Sequence, residues 1–341
     1  MKQIQVTKQD SSQRFDKYLK RIFPEMGTSF LYKMLRKKNI TLNGKKATGS
    51  ELIQEGDTIQ CFFSDETFDK FSGKSSDTCI TSNSHSMNEF RKAYTSLNGI
   101  HGIHVIYEDE HILLLDKPAG VLSQKAKQDD VSLNEWMIGY LLESNSVSED
   151  SLRHFKPSVC NRLDRNTSGL VICGKTLLGS REMSRILKDR SLQKYYRTYV
   201  HGKLDGEKVL EGYHYKNTKT NQAKVLFTKP DAQTSKEYES IITAYRSIEA
   251  KEKYSYLEIE LITGKTHQIR SHLSAYGHPI VGDSKYGNHS FTSVKGYPKH
   301  QLLHAYRVVF PTLEGDLSYL SNREFICEEP DSFHKFRTTL F

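Results

Sequence analysis

A chain of 341 residues that is 36% hydrophobic and 11% aromatic can bury a substantial core, which excludes global disorder and suits one small and one large domain. A net charge of +8 suits a polyanionic partner or, on charge alone, a solvated lysine-rich face, while a mean hydropathy of −0.61 and short apolar runs such as Ile112-Leu113-Leu114-Leu115 argue against a membrane-spanning helix. The five scattered cysteines (Cys61, Cys79, Cys160, Cys173, Cys327) form no Cys-x-x-Cys pair, so structural thiols are expected rather than a disulfide framework or a zinc ribbon.

The first residues, Met1 to Thr7, lack the apolar core of a signal peptide, and the cytoplasm is the expected compartment. Residues 1–63 hold 12 Lys/Arg against 6 Asp/Glu, most of the chain's positive surplus. Phe15, Tyr18, Leu19 and Ile22 predict a helix that Pro24 stops. Thr28-Ser29 offers an N-cap for a second helix, with Phe30, Leu31, Met34 and Leu35 on its apolar side and Arg36-Lys37-Lys38 as its basic end. Ile40 to Leu42, the turn Asn43-Gly44 and Lys45 to Ala47 read as a tight hairpin, and Glu55-Gly56-Asp57 turns into a strand through Ile59 to Phe63. This helix–helix–hairpin unit, over residues 12–63, resembles the alpha-L RNA-binding domain of a small-subunit ribosomal protein. The resemblance implies that Arg36, Lys37 and Lys38 contact RNA.

Residues 64–100 are polar and poor in aliphatics, notably Ser72 to Asp77 and Thr81 to Ser86, and read as a flexible linker whose tail, Phe90 to Leu97, forms a short helix. From Ile103 the strand signals are Val105 to Tyr107, Ile112 to Leu115, Leu170 to Cys173, Tyr199-Val200, Tyr256 to Ile262 and Arg307 to Phe310. Helices are expected near 132–143 and 176–189. The fold class is therefore α+β, a mixed and mostly antiparallel central sheet with flanking helices, preceded by the small α/β domain. The expected boundaries are 1–63, a linker over 64–100, and a catalytic domain over 101–341.

Four segments bear on chemistry. Asp164 sits in Asn161 to Leu170, on a loop before an apolar strand, and Arg162 and Arg165 would keep it ionised as a base or nucleophile requires; an ordinary Arg–Asp surface pair is the alternative. Gly169 to Thr176 matches the phosphate-loop pattern G-x-x-x-x-G-K-[ST], but its intervening residues are bulky and apolar, so a strand over 170–173 and a helix from Thr176 are expected instead. Leu261 to Leu273 carries Lys265, His267, Arg270 and His272. The histidines lack the H-E-x-x-H zinc spacing and could be satisfied internally, whereas Arg270 could pair with a carboxylate. Gln193 to Val200 is an aromatic-basic strand, suited to stacking on an extruded base or, equally, to an edge strand with core tyrosines.

In this order the motifs resemble the RluA-type pseudouridine synthase family. Tyr107 to Glu110 with Asp116-Lys117-Pro118-Ala119-Gly120 is similar to its opening motif, Arg162 to Leu170 to its catalytic loop, Lys194-Tyr195-Tyr196 to its K-x-Y motif and Gly264 to Leu273 to its basic motif. Gly282 to Gly287 and Leu303-His304-Ala305 resemble two later runs. Where the family has a His-Pro pair, this chain has Val121-Leu122-Ser123-Gln124-Lys125-Ala126. The resemblance implies an isomerase that converts uridine to pseudouridine in structured RNA without cofactor or metal. Asp164 would be the catalytic carboxylate, Tyr196 would stack on the target base, Arg270 would pair with Asp164, and Arg162 would contact the backbone or the vacated base position. Large-subunit rRNA is the implied target, ahead of small-subunit rRNA and tRNA. A monomer suffices. Attack on the base, attack on the sugar and simple proton removal all remain open for Asp164.

Overall fold

Apolar residues three and four apart make the first two helices where their spacing predicts them. In the computed structural model α1 (Phe15–Ile22) buries Phe15, Tyr18 and Leu19, and α2 (Thr28–Arg36) buries Leu31, Met34 and Leu35. The structure describes all residues except 1, 8–9, 73–77, 99–101, 218–219, 221, 232–236 and 288–294, and side chains within its helices except 78–86 and 153–154. Two details of the second helix differ from expectation. Thr28 is already helical and Gly27 holds the cap position without a side-chain bond, while Phe30 is exposed.

Strands β1 (Lys2–Gln5), β2 (Ile40–Leu42), β3 (Lys45–Lys46) and β4 (Thr58–Cys61) form an antiparallel sheet in the order β1-β4-β2-β3. The β2–β3 turn needs positive φ at both central residues, which Asn43 (φ 50) and Gly44 (φ 71) supply. The Asn43 side chain also donates to Asp57 and accepts from the Thr58 N–H, each at 2.8 Å.

The expected linker is largely helical: α3 (Asp65–Phe71) and α4 (Thr78–Asn98) occupy most of it, and 73–77 and 99–100 lie outside the described residues. Composition misled because a few aromatics decide the outcome. Phe68 and Phe71 pack with Phe23 and Phe63, and Ser64 caps α3 by accepting the Thr67 N–H. On α4, Phe90 and Ala93 are buried, as the helical reading of that tail anticipates. α5 (Leu133–Glu143) meets α4 closely: a Cβ on Gly139 would lie 2.3 Å from the Phe90 carbonyl oxygen. The chain divides into two compact units, residues 1–96, 135–158 and 175–178 in one and 97–134, 159–174 and 179–341 in the other, so the first extends well beyond the expected boundary at 63.

Besides α6 (Ser151–His154), the remaining elements are β5 (His104–Glu108), β6 (Ile112–Lys117), β7 (Ser158–Val159), β8 (Ser168–Gly174), α7 (Leu177–Lys188), β9 (Gln193–His201), β10 (Glu207–Asn217), β11 (Gln222–Leu226), β12 (Glu239–Ala250), β13 (Tyr254–Leu261), α8 (Gln268–Ala275), β14 (Leu303–Val309), β15 (Glu324–Ile326) and α9 (Asp331–Thr339). One large sheet runs β11-β10-β12-β13-β9-β14-β8-β6-β5, with β15 on β14 and β7 on β8. Its pairings along that path are antiparallel except β14–β8, which is parallel. The architecture is thus α+β around a mostly antiparallel sheet. Leu114, Ile172, Met183, Ile186 and Phe310 share one core, and Tyr199, Tyr256, Phe333 and Phe336 share another.

β8 is buried along its whole length, which rules out a phosphate loop at Gly169 to Thr176. Gly169 answers a steric demand instead. Its φ is +110°, and a Cβ there would stand 2.2 Å from the Ala305 carbonyl oxygen of the parallel neighbour.

Candidate active site

Asp164 lies on the loop between β7 and β8, and its backbone is held at several points. The Ser123 hydroxyl donates to the Leu163 carbonyl (2.9 Å) and accepts the Leu163 N–H (3.0 Å). The Arg165 carbonyl accepts from the Gly120 N–H (2.8 Å) and from Lys117 Nζ (3.0 Å), and the Asp164 carbonyl accepts the Thr167 N–H (3.0 Å). Lys117 is fully buried and also donates to the carbonyls of Pro118 and Val121. Burial pushes Lys117 down to about 7, against the pull of Asp164 and Asp116. The segment that departs from the family's His-Pro pair therefore has a task here, because Ser123 clasps both backbone polar groups of Leu163, next to Asp164.

The Asp164 carboxylate faces α8. Arg270 Nη1 donates to Asp164 Oδ2 at 2.7 Å, while Arg270 Nε and Nη2 fork onto Asp283 Oδ2 and Oδ1 at 2.7 and 3.0 Å. Asp283 is buried, and its Oδ1 further accepts the N–H groups of Lys285 (2.9 Å) and Tyr286 (3.0 Å). Burial opposes the charge on Asp283, but Arg270 and these two amides outweigh it and hold the carboxyl below its usual range. Burial likewise opposes the Arg270 charge, and the flanking Asp283 and Asp164 overcome it and raise its pKa. An arginine fixed at one end by a buried acid thus holds the other acid in a defined orientation.

Asp164, Arg162, Leu163, Tyr196, His267 and Arg270 line one open cleft. Tyr196 comes from β9, paired on both sides by β13 and β14, so the edge-strand alternative does not hold. Burial, with Asp164 adding to it, raises the Tyr196 phenol far above its ordinary value and keeps it neutral. Arg162 is exposed on the cleft. His267 sits just before α8 with φ +56°, and its Nε2 is 3.9 Å from Asp164 Oδ1. His272, by contrast, is wholly buried beside Thr243. The four expected cleft residues are thus brought together. Arg36, Lys37 and Lys38 belong to the other unit, exposed at the end of α2, where positive charge complements the helix dipole.

Asp283, Tyr286, Lys117 and Ser123 receive no role from sequence reasoning. The signal for Asp283 and Tyr286 is the run Gly282 to Gly287, which resembles a family pattern but names no task for either residue. Among the described residues no group of three His, Cys, Asp or Glu side chains could hold a metal ion, and no helix is long and apolar enough to cross a membrane.

The family model for RNA pseudouridylate synthase matches residues 111–275, the stretch that contains Asp164, Tyr196, His267 and Arg270. A Mycoplasma genitalium protein named as an uncharacterized RNA pseudouridine synthase is 30% identical over 317 residues, 91% of this chain and 89% of that protein. Ribosomal large subunit pseudouridine synthase C of Rickettsia typhi is 30% identical over 294 residues, 86% of this chain and 87% of its own. Among solved structures, human RNA pseudouridylate synthase domain containing 4 superposes with a TM-score of 0.55 at 17% identity, over 74% of this chain and 98% of its own, a likeness of fold.

Proposed function

We propose, from the premise that this chain belongs to the RNA pseudouridine synthase family and is an isomerase, that Asp164 is the carboxylate at which it converts uridine to pseudouridine. The observation that carries this reading is the pairing of Asp164 with an arginine that is itself locked to a buried acid, at the mouth of a cleft over a buried tyrosine. A carboxylate so held is aimed, as a base or a nucleophile must be.

The reaction moves a bond and keeps the atoms. The C1′–N1 bond breaks with its electron pair going to the base, the base turns, C5 bonds to C1′, and one proton leaves C5 while another joins N1. The uridine must leave its stack to reach Asp164, so a stacking surface and positive charge around the cleft are required. Tyr196 supplies the surface, Arg270 orients Asp164, and Arg162, exposed on the cleft, meets the RNA backbone or the gap the base has left. The unit containing α1 and α2 grips RNA through Arg36, Lys37 and Lys38. Large-subunit rRNA is the substrate this reading favours, given what the Rickettsia relatives are named for, and the protein acts as a monomer in the cytoplasm.

Asp164→Asn keeps the side chain's shape while removing its charge. It is expected to abolish pseudouridine formation on rRNA from cells lacking the gene, with RNA affinity retained. Near-normal conversion by this variant would refute the assignment, and mapping pseudouridines with and without the gene identifies the target base.

A further inference from the structure

We infer that His267 is a second catalytic residue, a neutral imidazole that donates its Nε2–H to a carbonyl oxygen of the target base as that base leaves the sugar. This rests on the reading of the Asp164 cleft as the site of pseudouridine formation.

The tautomer follows from a chain of hydrogen bonds. The Tyr286 hydroxyl accepts the Ala223 N–H at 2.8 Å, and it lies 2.9 Å from His267 Nδ1. Among the described partners of this hydroxyl the Ala223 amide can only donate, which leaves Nδ1 to accept the hydroxyl proton, and we assign the ring proton to Nε2 on that basis. His267 lines the cleft with Asp164, and its Nε2 is 3.9 Å from Asp164 Oδ1, too far for a hydrogen bond to it. The donor therefore has no acceptor in Asp164, and it belongs to a residue that shares the cleft with Tyr196 and Asp164, where the reacting base must stand.

The ring's placement is built into the backbone. His267 adopts the left-handed conformation, uncommon for a residue with a side chain, and the turn before it is clamped by Gln268. Gln268 Oε1 accepts from Thr263 Oγ1 (2.9 Å) and the Lys265 N–H (3.0 Å), while its Nε2 donates to the Ile242 carbonyl and Thr243 Oγ1, each at 3.0 Å. A strained residue over-determined by its neighbours is the usual mark of a functional position. Burial brings the imidazole down to about 4, and Arg270 and Lys285 work with it against the opposite pull of Asp164, so the ring stays neutral at neutral pH.

The chemistry asks for such a donor. When the C1′–N1 bond breaks, the base holds the electron pair and its carbonyl oxygens take up negative charge. A fixed N–H aimed at that charge stabilises the transition state more than the ground state. Arg270 has its Nε and an N–H of each terminal nitrogen engaged by Asp283 and Asp164, whereas His267 keeps its donor for the substrate.

The test uses full-length protein and rRNA from cells lacking the gene, under single turnover. His267→Ala is expected to slow conversion on the order of 10²-fold with RNA affinity unchanged, and His267→Gln, whose amide can place an N–H near the Nε2 position, to recover much of the rate. Independently, 15N NMR of the unmutated protein is expected to show Nε2 protonated, Nδ1 bare and no titration near the ordinary value of 6.5. Wild-type rate in His267→Ala, equal loss in the Ala and Gln variants, or an Nδ1–H ring would each overturn the role. An unmutated protein that forms no pseudouridine would overturn the reading of the cleft itself, whereas active protein with an equally active His267→Ala removes only this inference.

Discussion

Asp283→Asn probes the arrangement most directly, because the substitution replaces one carboxylate oxygen by an NH2 group and leaves the shape. Asp283 Oδ1 accepts three donors, from Arg270 Nη2, Lys285 N and Tyr286 N, so the new amide will keep its oxygen there. Its NH2 group then faces Arg270 Nε, which now donates to Oδ2 at 2.7 Å, and two donors oppose each other in a buried place. Losing one charge-assisted hydrogen bond costs about 1.5–3 kcal/mol, and breaking a buried ion pair about 3–5 kcal/mol. Arg270 retains its bond to the partly exposed Asp164, which softens the loss, so about 3 kcal/mol is the expected cost. For a unit of this size that lowers Tm by about 6–12 °C. Arg270 will also lean away from the substituted amide, which misaligns Asp164, so single-turnover conversion should fall by more than the fraction of unfolded protein explains. Calorimetry and conversion measured well below Tm separate the two effects. A Tm within about a degree or two of the unmutated protein, with full activity, would refute the idea that Asp283 anchors the arginine.

Lys117→Met keeps a long apolar stem but removes the donors to the carbonyls of Pro118, Val121 and Arg165. The Arg165 carbonyl keeps the Gly120 N–H, but the buried Val121 acceptor is left bare, so the urea midpoint should fall by the equivalent of about 1–3 kcal/mol, and an unchanged midpoint would show that the tether contributes nothing. Acid should weaken the fold between pH 6.5 and 4, because burial first, and His214 second, bring the fully buried His272 down to about 4. The unfolded ring binds a proton near its ordinary value of 6.5 while the folded ring does not, so stability is full above 6.5 and is lost as pH falls, levelling off near 4. A shift from 6.5 to about 4 corresponds to ~3 kcal/mol, and urea titrations of the unmutated protein and His272→Gln between about pH 7 and 4.5 should differ by an amount of that order. Equal acid sensitivity in both would refute it.

What the sequence revealed and concealed follows from where each signal lives. Helices α1 and α2 and strands β6 and β8 carry their apolar residues in the local order that their geometry needs, so periodicity finds them. β10 escapes because it mixes buried Leu210 and His214 with exposed Val209 and four charged residues, Glu207, Lys208, Glu211 and Lys216. α9 escapes because only Phe333 and Phe336 anchor it in a polar run, and residues 64–100 look like a linker because Phe68 and Phe71 order α3 against partners far back in the chain. Stability there comes from contacts between segments, which no local window contains.

The cleft divides along the same line. Asp164, Tyr196 and Arg270 are recognisable because each stands inside a run whose order matches a family. Their support is not: the Ser123 clasp joins positions 40 apart, and the Tyr286 bond that sets the His267 tautomer joins positions 19 apart. A lone histidine in a basic run looks like an ordinary satisfied residue, and at Nδ1 that is what His267 is. Its other nitrogen gains meaning only once Ala223 occupies the tyrosine hydroxyl, a backbone contact from an edge strand that carries no side-chain signature at all. The groups that touch substrate are written in short motifs, but the proton positions that let them act are set by pairings across the sheet. Variants that alter the β11 edge near Ala223 should therefore change catalysis through His267 without altering any residue of the recognised motifs.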